Sequence, residues 1–425
     1  MSHFKIKGGI PLKGEITPSG NKNEALPALA ACVLTDDVVI LKRVPRIVDV
    51  LIQCEVLTNL GAKLVWLDEE TIQVDCSSLN SYIPDKSLCS KARGTILLLG
   101  SLLSRFSKVK LPLPGGDIIG ARRLDTHFEG ITLLGANLKF STIIDGDITE
   151  LIGTDIFLDE PSVTGTENLL LLSVKAKGKT VIYNAACEPH VVGLCKMLNS
   201  MGAKISGLGS NRLEIEGVNS LHGTTHTIGV DFMEVGSFIC LGAIGSNNIT
   251  IKNVNLDDFK FILKTFSKIG INVEYQNNSF IIDGSANPLK IKTDISGQVA
   301  TIYSQPWPAF PSDLMSVAIV AATQAQGTLI FFEKMYESRM FFTDKLIAMG
   351  ATIILCDPHR VVVNGPCKLK GGYISSPDIR AGMALLIAAL VAKEETEIAD
   401  IYQIERGYYQ IDKKLRALGA DITKI

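Results

Sequence analysis

Basic side chains beside a carboxyl group mark one short segment of this sequence as a candidate reaction site. Asp117 follows two glycines and precedes Arg122 and Arg123. Because proline and glycine give this segment its turns, we expect residues 112–122 to form a mobile loop between a strand and a helix. Guanidinium groups bind phosphate or carboxylate through paired hydrogen bonds. The combination predicts acid–base chemistry beside a bound anion, although aspartate is also common in turns for purely local reasons.

Further basic residues lie in the short polar segments, here called joints, that precede predicted helices. Lys22, Arg93 and Arg380 lie where buried helices begin, although the positive end of a helix dipole disfavours cations. The free N–H groups at such helix ends bind anions. For any one cation a solvated surface charge is the alternative, but the set predicts a small, multiply anionic substrate. The cations at these joints are Lys22, Arg93, Arg122, Arg339, Arg380 and Arg406.

A short word built around glycine recurs along the whole chain. Successive glycines are 74, 67, 68, 80 and 69 residues apart, which is the size of a small folding unit. We expect each word to end an amphipathic helix, with the glycine just past the helix C-terminus, and then to enter a strand. The glycines are Gly61, Gly135, Gly202, Gly270, Gly350 and Gly419.

A second set of helices, apolar on nearly every side, is predicted between consecutive glycine words. Helices without a polar face must be buried, so the sheets and the amphipathic helices are expected to lie outside them. Three units per domain then give an α/β protein of two domains, with a boundary near residues 221–225. Ser162, Asp313 and Asp378 are expected to cap their helices. The apolar stretches are 25–34, 96–103, 169–174, 238–244, 314–322 and 383–392.

Composition excludes several classes of function. The chain has 425 residues and a net charge of -2, and it lacks the basic runs of a nucleic-acid-binding protein. The absence of a long apolar run predicts no membrane span, and we expect a cytoplasmic protein with reduced cysteines. His222 and His226 are weak candidates for metal ligands, so no metal site is predicted.

Several motifs, in order along the whole chain, resemble one family of enzymes. The sequence is similar to the UDP-N-acetylglucosamine 1-carboxyvinyltransferases, which are enolpyruvyl transferases. The motifs are Ser19-Gly20-Asn21-Lys22-Asn23, Pro114-Gly115-Gly116, Gly120-Ala121-Arg122, Asp125 with His127, Asn184-Ala185-Ala186 with Glu188-Pro189, Pro308-Ala309-Phe310-Pro311 with Asp313, Asp378 with Arg380, and Glu405-Arg406-Gly407-Tyr408.

The resemblance implies a fold and a reaction. The fold is two inside-out α/β barrels, each of three repeated units with buried helices and outer sheets. Residues 20–228 would form the nucleotide-sugar domain with the loop 112–122, and residues 1–19 with 229–425 the second domain. The enzyme would transfer the enolpyruvyl group of phosphoenolpyruvate to the 3-hydroxyl of UDP-N-acetylglucosamine, the first committed step of peptidoglycan synthesis. It would need no cofactor, metal, nucleic acid, membrane or obligate protein partner.

The resemblance also implies roles for individual residues. Asp117 would donate a proton to phosphoenolpyruvate, and Asp313 would accept the proton of the sugar hydroxyl. Ligands of the phosphate would be Lys22, Arg122 and Arg406, and those of the carboxylate Arg339 and Arg380. The nucleotide sugar would be bound by Asn23, Arg93, Arg122, Arg123, Leu124, Asp125, Thr126, Glu160, Pro161, Ser162, Val163, Asp313 and Met335. Residues that orient these groups would be His127, Glu188 and Asp378.

The sequence departs from the family pattern at a few positions. Asp117 stands where most members have cysteine, so the resemblance implies insensitivity to fosfomycin, an epoxide that a thiolate opens. Glu160 replaces a frequent lysine, and Arg123 replaces a usual proline and is expected to compensate. Two alternatives stay open: the related transfer to shikimate 3-phosphate, and a non-catalytic repeat protein that binds an anionic ligand.

Overall fold

The computed structural model describes residues 2–116, 123–285 and 288–425. These residues divide into two compact units. We call residues 20–116 with 123–229 the N unit, and residues 2–19, 230–285 and 288–425 the C unit. The C unit includes the first strand, Phe4–Lys7, because that strand pairs antiparallel with Glu395–Ala399 and with Asp421–Lys424.

Apolar and polar residues alternate along many strands, so one face of each sheet is buried. In Phe4–Lys7, for example, Phe4 and Ile6 are buried and Lys7 is exposed. In strand order, the sheets that the structure describes in the C unit are Gly372–Ser375, Glu395–Ala399, Phe4–Lys7 and Asp421–Lys424; Glu274–Gln276, Ser279–Asp283, Asn248–Ile251 and Lys13–Ile16; and Thr301–Tyr303, Gly327–Phe332, Arg360–Gly365 and Thr352–Asp357.

The described part of the N unit repeats this arrangement with sheets of similar size. Each contains at least one antiparallel pair. In strand order they are Lys204–Ser206, Arg212–Glu216, Lys179–Tyr183 and Asp155–Phe157; Thr225–Thr227, Val39–Lys42, Ile72–Asp75 and Lys63–Trp66; and Lys108–Pro112, Ile143–Ile148 and Ala136–Phe140.

The apolar helices lie inside the units, as their composition predicts. Every residue of Phe232–Ala243 and of Met315–Thr323 is buried, because neither helix has a polar face to turn to solvent. Met315–Thr323 packs against Ile379–Val391 in the C unit. The buried helices and the 3₁₀ turns that adjoin them are Lys22–Ala31 with Cys32–Leu34, Arg93–Leu97 with Leu98–Phe106, Val163–Ser173, Phe232–Ala243, Ser312–Leu314 with Met315–Thr323, and Ile379–Val391.

The amphipathic helices end at the glycine words. All the word glycines have a positive φ, between 91° and 108°, which a residue with a side chain rarely adopts. The predicted helix ends are therefore confirmed. These helices are Val48–Asn59, Asp125–Leu133, Pro189–Ser200, Lys260–Ile269, Thr343–Ala348 and Ile411–Ala417, and the remaining short ones are Lys86–Cys89, Leu256–Asp258 and Tyr402–Glu405.

The part of the chain that the structure describes contains no helix that could span a membrane. None of the helices there combines the length and the apolar character that crossing a bilayer requires.

Candidate active site

A carboxylate held by two buried arginines forms a charge cluster in the C unit. Arg339 donates from Nη2 to Oδ1 of Asp313 at 2.6 Å, and Arg380 donates from Nε to Oδ2 at 2.9 Å. The guanidinium-bearing side chains are 3% and 6% exposed, whereas the Asp313 side chain is 28% exposed. The carboxylate therefore faces solvent while its two partners are fixed in the protein interior.

The backbone explains why these three residues meet. Asp313 lies in the 3₁₀ turn Ser312–Leu314 that precedes a buried helix, and Arg380 is the second residue of Ile379–Val391. The expectation that Asp313 caps its helix is wrong, because that turn has no side-chain cap. Its oxygens bind the two arginines instead. Asp378 does cap as predicted, accepting from the N–H groups of Arg380 and Ala381 at 2.8 and 3.0 Å.

Both arginines remain charged despite their burial. Burial opposes the charge on Arg339, yet Asp313, Asp378 and Glu333 raise its pKa above the ordinary value. Burial likewise opposes the charge on Arg380, and Tyr408 and Asp313 raise its pKa. Two cations that the protein has already desolvated can bind an anion strongly, because little water shields them.

A buried glutamate that was not predicted from the sequence organises the neighbouring turn. Glu333 accepts hydrogen bonds from the hydroxyls of Ser304 and Ser312, both at 2.7 Å. It also accepts from the backbone N–H of Met335 at 2.8 Å. Met335 was proposed to touch the nucleotide sugar, and its side chain is 39% exposed. Because Ser312 precedes Asp313, one carboxylate fixes both the Asp313 turn and the Met335 turn.

Arg406 also belongs to the C unit and is buried. It follows the short helix Tyr402–Glu405, and its Nη1 donates to Oε1 of Gln403 at 3.0 Å. The contact is local, within one helical turn.

In the N unit, Lys22 begins a buried helix and is held by a second acidic residue. Its Nζ lies 3.3 Å from Oδ2 of Asp49, whose side chain is 5% exposed. Asn21 caps the helix by accepting from the N–H of Asn23 at 2.8 Å. Asn21 thus satisfies an N–H group at the positive end of the helix. The helix dipole disfavours a cation there, and the charge of Lys22 is balanced by Asp49 instead.

Glu24 ties the same helix to the last segment of the N unit. One carboxylate oxygen lies 2.8 Å from Nε2 of His226, and the other accepts from the N–H of Gly229 at 3.0 Å. Glu24 is 3% exposed. His226 therefore has a structural role, and no metal cluster occurs among the residues that the structure describes.

The segment proposed to bind the nucleotide leads into the helix Asp125–Leu133. Arg123 and Asp125 form an exposed ion pair of 2.6 Å, and Leu124 is half-buried. Thr126 is 4% exposed, and its Oγ1 has no hydrogen-bond partner among the described residues. A buried hydroxyl without a partner costs stability, so it is a natural contact for a bound ligand.

His127 sits beneath this segment as a neutral imidazole. Its Nε2 lies 3.1 Å from Oγ1 of Thr164, and its Nδ1 lies 3.0 Å from Nδ2 of Asn168. Burial, helped by the positive charge of Arg93, lowers the pKa of His127 to about 3. Arg93 itself is half-buried at the start of its 3₁₀ turn.

The last nucleotide-binding candidates precede and begin the helix Val163–Ser173. Ser162 caps this helix, as predicted, by accepting from the N–H of Gly165 at 3.2 Å. Glu160 is exposed and Pro161 is half-buried. Glu188 directly precedes the helix Pro189–Ser200. Burial, together with the neighbouring carboxylates of Glu188 and Glu24, raises the pKa of Glu167 well above its usual range, which favours its neutral form.

Comparisons with known proteins identify the family. A family model described as EPSP synthase (3-phosphoshikimate 1-carboxyvinyltransferase) matches residues 6–415. A UDP-N-acetylglucosamine 1-carboxyvinyltransferase of Borrelia garinii subsp. bavariensis is 51% identical over 430 residues, covering 100% of this chain and 99% of the relative. This chain belongs to the UDP-N-acetylglucosamine 1-carboxyvinyltransferase family. A member from Treponema pallidum is 46% identical over 424 residues and covers 100% of both chains.

Solved structures share the fold. The enolpyruvyl transferase NikO of Streptomyces tendae has a TM-score of 0.89 and 22% identity, covering 100% of this chain and 98% of that one. EPSP synthase of Acinetobacter baumannii has a TM-score of 0.76 and 17% identity, with 100% of both chains covered. The expectation of a two-domain, inside-out α/β fold is thereby confirmed for this member of the carboxyvinyltransferase family.

Two of the residues to which the resemblance assigns roles, Asp117 and Arg122, lie outside the described residues, as does most of the segment 112–122. Among the other candidates, the structure brings Asp313, Arg339 and Arg380 together in the C unit. In the N unit it brings His127 close to Arg93. Several residues that contact these groups were not assigned to the site from the sequence: Glu333, Asp49, Glu24, Asn168 and Tyr408. Of these, Tyr408 ends a recognised motif and Glu24 directly follows one.

Proposed function

We propose that this protein transfers the enolpyruvyl group of phosphoenolpyruvate to the 3-hydroxyl of UDP-N-acetylglucosamine, as the first committed step of peptidoglycan synthesis. The observation that carries the proposal is the Asp313 carboxylate held between Arg339 and Arg380. It offers a base and two desolvated cations within one cluster, which an addition–elimination reaction on an anionic enol requires. Full-length similarity to carboxyvinyltransferases supports it.

In the proposed reaction the Asp117 carboxyl protonates the methylene carbon of phosphoenolpyruvate. The sugar hydroxyl then attacks the cationic carbon and forms a C–O bond, while its proton passes to Asp313. A methyl proton then returns to the Asp117 carboxylate while the C–O bond to phosphate breaks, which releases inorganic phosphate and forms the C=C bond of the enol ether product. Lys22, Arg122 and Arg406 are assigned to the phosphate, and Arg339 and Arg380 to the carboxylate.

Asp313 suits the role of base although two arginines already bind it. A carboxylate has about four lone-pair sites, and the arginines use two of them. Attack on a cationic carbon makes the hydroxyl proton strongly acidic, so a weakly basic carboxylate is sufficient. The Asp313 side chain is 28% exposed, so a substrate can reach its carboxylate.

We also assign residues 20–228 to the nucleotide-sugar domain and residues 1–19 with 229–425 to the second domain. The nucleotide sugar is assigned to Asn23, Arg93, the segments 122–126 and 160–163, Asp313 and Met335. The contact with the segment 122–126 is supported by the buried hydroxyl of Thr126, which has no hydrogen-bond partner among the described residues. His127, Glu188 and Asp378 are assigned to orienting neighbouring groups.

Phosphate release from purified protein tests the proposal. Release should require phosphoenolpyruvate and UDP-N-acetylglucosamine together. Turnover with shikimate 3-phosphate in place of the nucleotide sugar would favour the related reaction, which the description of the matching family model names. Arg406→Ala should abolish turnover, and Arg360→Ala, at an exposed arginine of the C unit, should not. Binding without any turnover would favour a non-catalytic anion-binding protein.

A further inference from the structure

Tyr408 is a fully buried tyrosine that lies against the proposed carboxylate clamp. It is 1% exposed, and the Arg380 guanidinium lies 5.4 Å from the centre of its ring. Its hydroxyl lies 3.1 Å from Oγ of Ser237, on the buried helix Phe232–Ala243. A buried phenol oxygen needs hydrogen-bond partners, and the identity of those partners decides the direction of each bond.

The proton of Ser237 fixes the direction of this chain of hydrogen bonds. Ser237 Oγ donates its one proton to the carbonyl oxygen of Met233 at 2.8 Å. It can therefore only accept from Tyr408, whose hydroxyl must be the donor. The lone pairs of the phenol oxygen then remain to accept a hydrogen bond from Arg380, which has donors only. The donor and acceptor in each of these hydrogen bonds are therefore fixed.

Arg380 consequently has two side-chain partners. Nε donates to Asp313, and the guanidinium also donates to the phenol oxygen of Tyr408, whose ring centre lies 5.4 Å away. Nη1 is buried and has no hydrogen-bond partner among the described residues. A buried donor of a charged group that lacks a partner is costly in the free protein, and a bound anion removes that cost.

We propose that Tyr408 is a positioning residue, which turns the Arg380 guanidinium so that Nη1 faces the carboxylate of phosphoenolpyruvate. This inference rests on the proposed function and extends it to a residue outside the assigned site. The phenol binds Arg380 and is not assigned to the substrate. Its loss should weaken binding of phosphoenolpyruvate and leave binding of the nucleotide sugar intact, because Asp313 keeps its separate bond to Arg339.

Tyr408→Phe tests the inference, since it keeps the ring and removes only the hydroxyl. With both substrates varied, we expect the KM for phosphoenolpyruvate to rise about tenfold, the effect of one hydrogen bond to a charged group. The KM for UDP-N-acetylglucosamine should stay unchanged, and kcat should stay within about twofold of the wild type. Ser237→Ala, which removes the acceptor of the phenol proton, should raise the same KM by less. Tyr373→Phe, at a tyrosine 72% exposed in the same unit, should change nothing.

Equal changes in both KM values, or an unchanged KM for phosphoenolpyruvate, would overturn the positioning role. If Tyr408→Phe does not fold, Ser237→Ala decides by the same criterion. A wild type without turnover would refute the proposed function instead. Calorimetric titration with phosphoenolpyruvate alone would then compare the wild type and Tyr408→Phe, with weaker binding by the variant supporting the positioning role and equal binding opposing it.

Discussion

Asn168 donates a side-chain N–H to Nδ1 of His127 across 3.0 Å. The orientation of the amide follows from its other bonds, because Oδ1 accepts from the N–H of Gly100 and Nδ2 also donates to the carbonyl of Ile96. Nδ1 of His127 must then be the unprotonated nitrogen, and Nε2–H donates to Thr164. The histidine is locked in one neutral tautomer at the base of the proposed nucleotide site.

Acid should destabilise the protein through His127. The unfolded histidine binds a proton near pH 6.5, whereas the folded one does so only near pH 3. Its contribution to stability is therefore complete above pH 6.5 and is lost as the pH falls from about 6.5 towards 3. The loss amounts to about 2 kcal/mol at pH 5. Urea unfolding at pH 8 and pH 5 measures the free energy of unfolding at each pH. The decrease between these pH values should be smaller in His127→Gln than in the wild type, by about 2 kcal/mol. His222→Gln, at an exposed histidine, should match the wild type, and an equal loss in all three proteins would contradict the prediction.

Removing the base should abolish most turnover while the protein stays folded. Asp313→Asn keeps an acceptor for one arginine but cannot accept a proton, so kcat should fall by about 10²- to 10⁴-fold. Phosphate release measures the rate, and circular dichroism checks the fold. Asp344→Asn, at an exposed aspartate of the same unit, is the matched control. Turnover near the wild-type rate in Asp313→Asn would assign the base to another residue.

Loss of each of two helix caps should weaken the binding of a different substrate. Asp378→Ala and Ser162→Ala should each lower the free energy of unfolding by about 1 kcal/mol, because each leaves helix N–H groups without an acceptor. Asp378 supports the helix that carries Arg380, so its loss should raise the KM for phosphoenolpyruvate. Ser162 supports the segment proposed for the nucleotide sugar, so its loss should raise the other KM. Steady-state kinetics with each substrate varied measure both KM values. The reverse pair of changes, or no change in either KM, would show that these assignments are wrong.

Fosfomycin should leave the wild-type protein unmodified. A carboxylate opens an epoxide much more slowly than a thiolate does, so intact mass after incubation should show no adduct at Asp117. Asp117→Cys should acquire one drug molecule and lose activity in parallel. Adduct formation by the wild type would contradict the prediction, and peptide mapping would show whether Asp117 or another nucleophile reacts.

The repeated glycine words and the apolar helices made most of the fold predictable. A glycine after an amphipathic helix has one common conformation, and each of the word glycines adopts it, with φ near +100°. A helix such as Met315–Thr323, which is apolar all round, can only be buried. Both features are local, so they can be recognised without knowledge of any distant contact.

The candidate site was predictable only in part. Arg339 and Arg380 were recognised as cations at helix joints, and their residue types follow directly from the sequence. Asp313, the partner that both arginines share, was expected to cap its helix as well as to accept a proton, because an aspartate before a buried helix has the same local pattern in either role. It lies within the 3₁₀ turn Ser312–Leu314, whereas Asp378 directly precedes its helix and caps it.

The sequence by itself therefore determined the repeated units, the helices that must be buried, and the inventory of charged groups available for binding an anion. Tertiary structure alone decided that Arg339, 26 residues from Asp313, and Arg380, 67 residues from it, reach opposite oxygens of the same carboxylate. It also placed Tyr408 against Arg380 and Asn168 against His127. Hydropathy and turn propensity act over a few residues, whereas the direction of a buried hydrogen bond depends on which distant groups packing brings within about 3 Å.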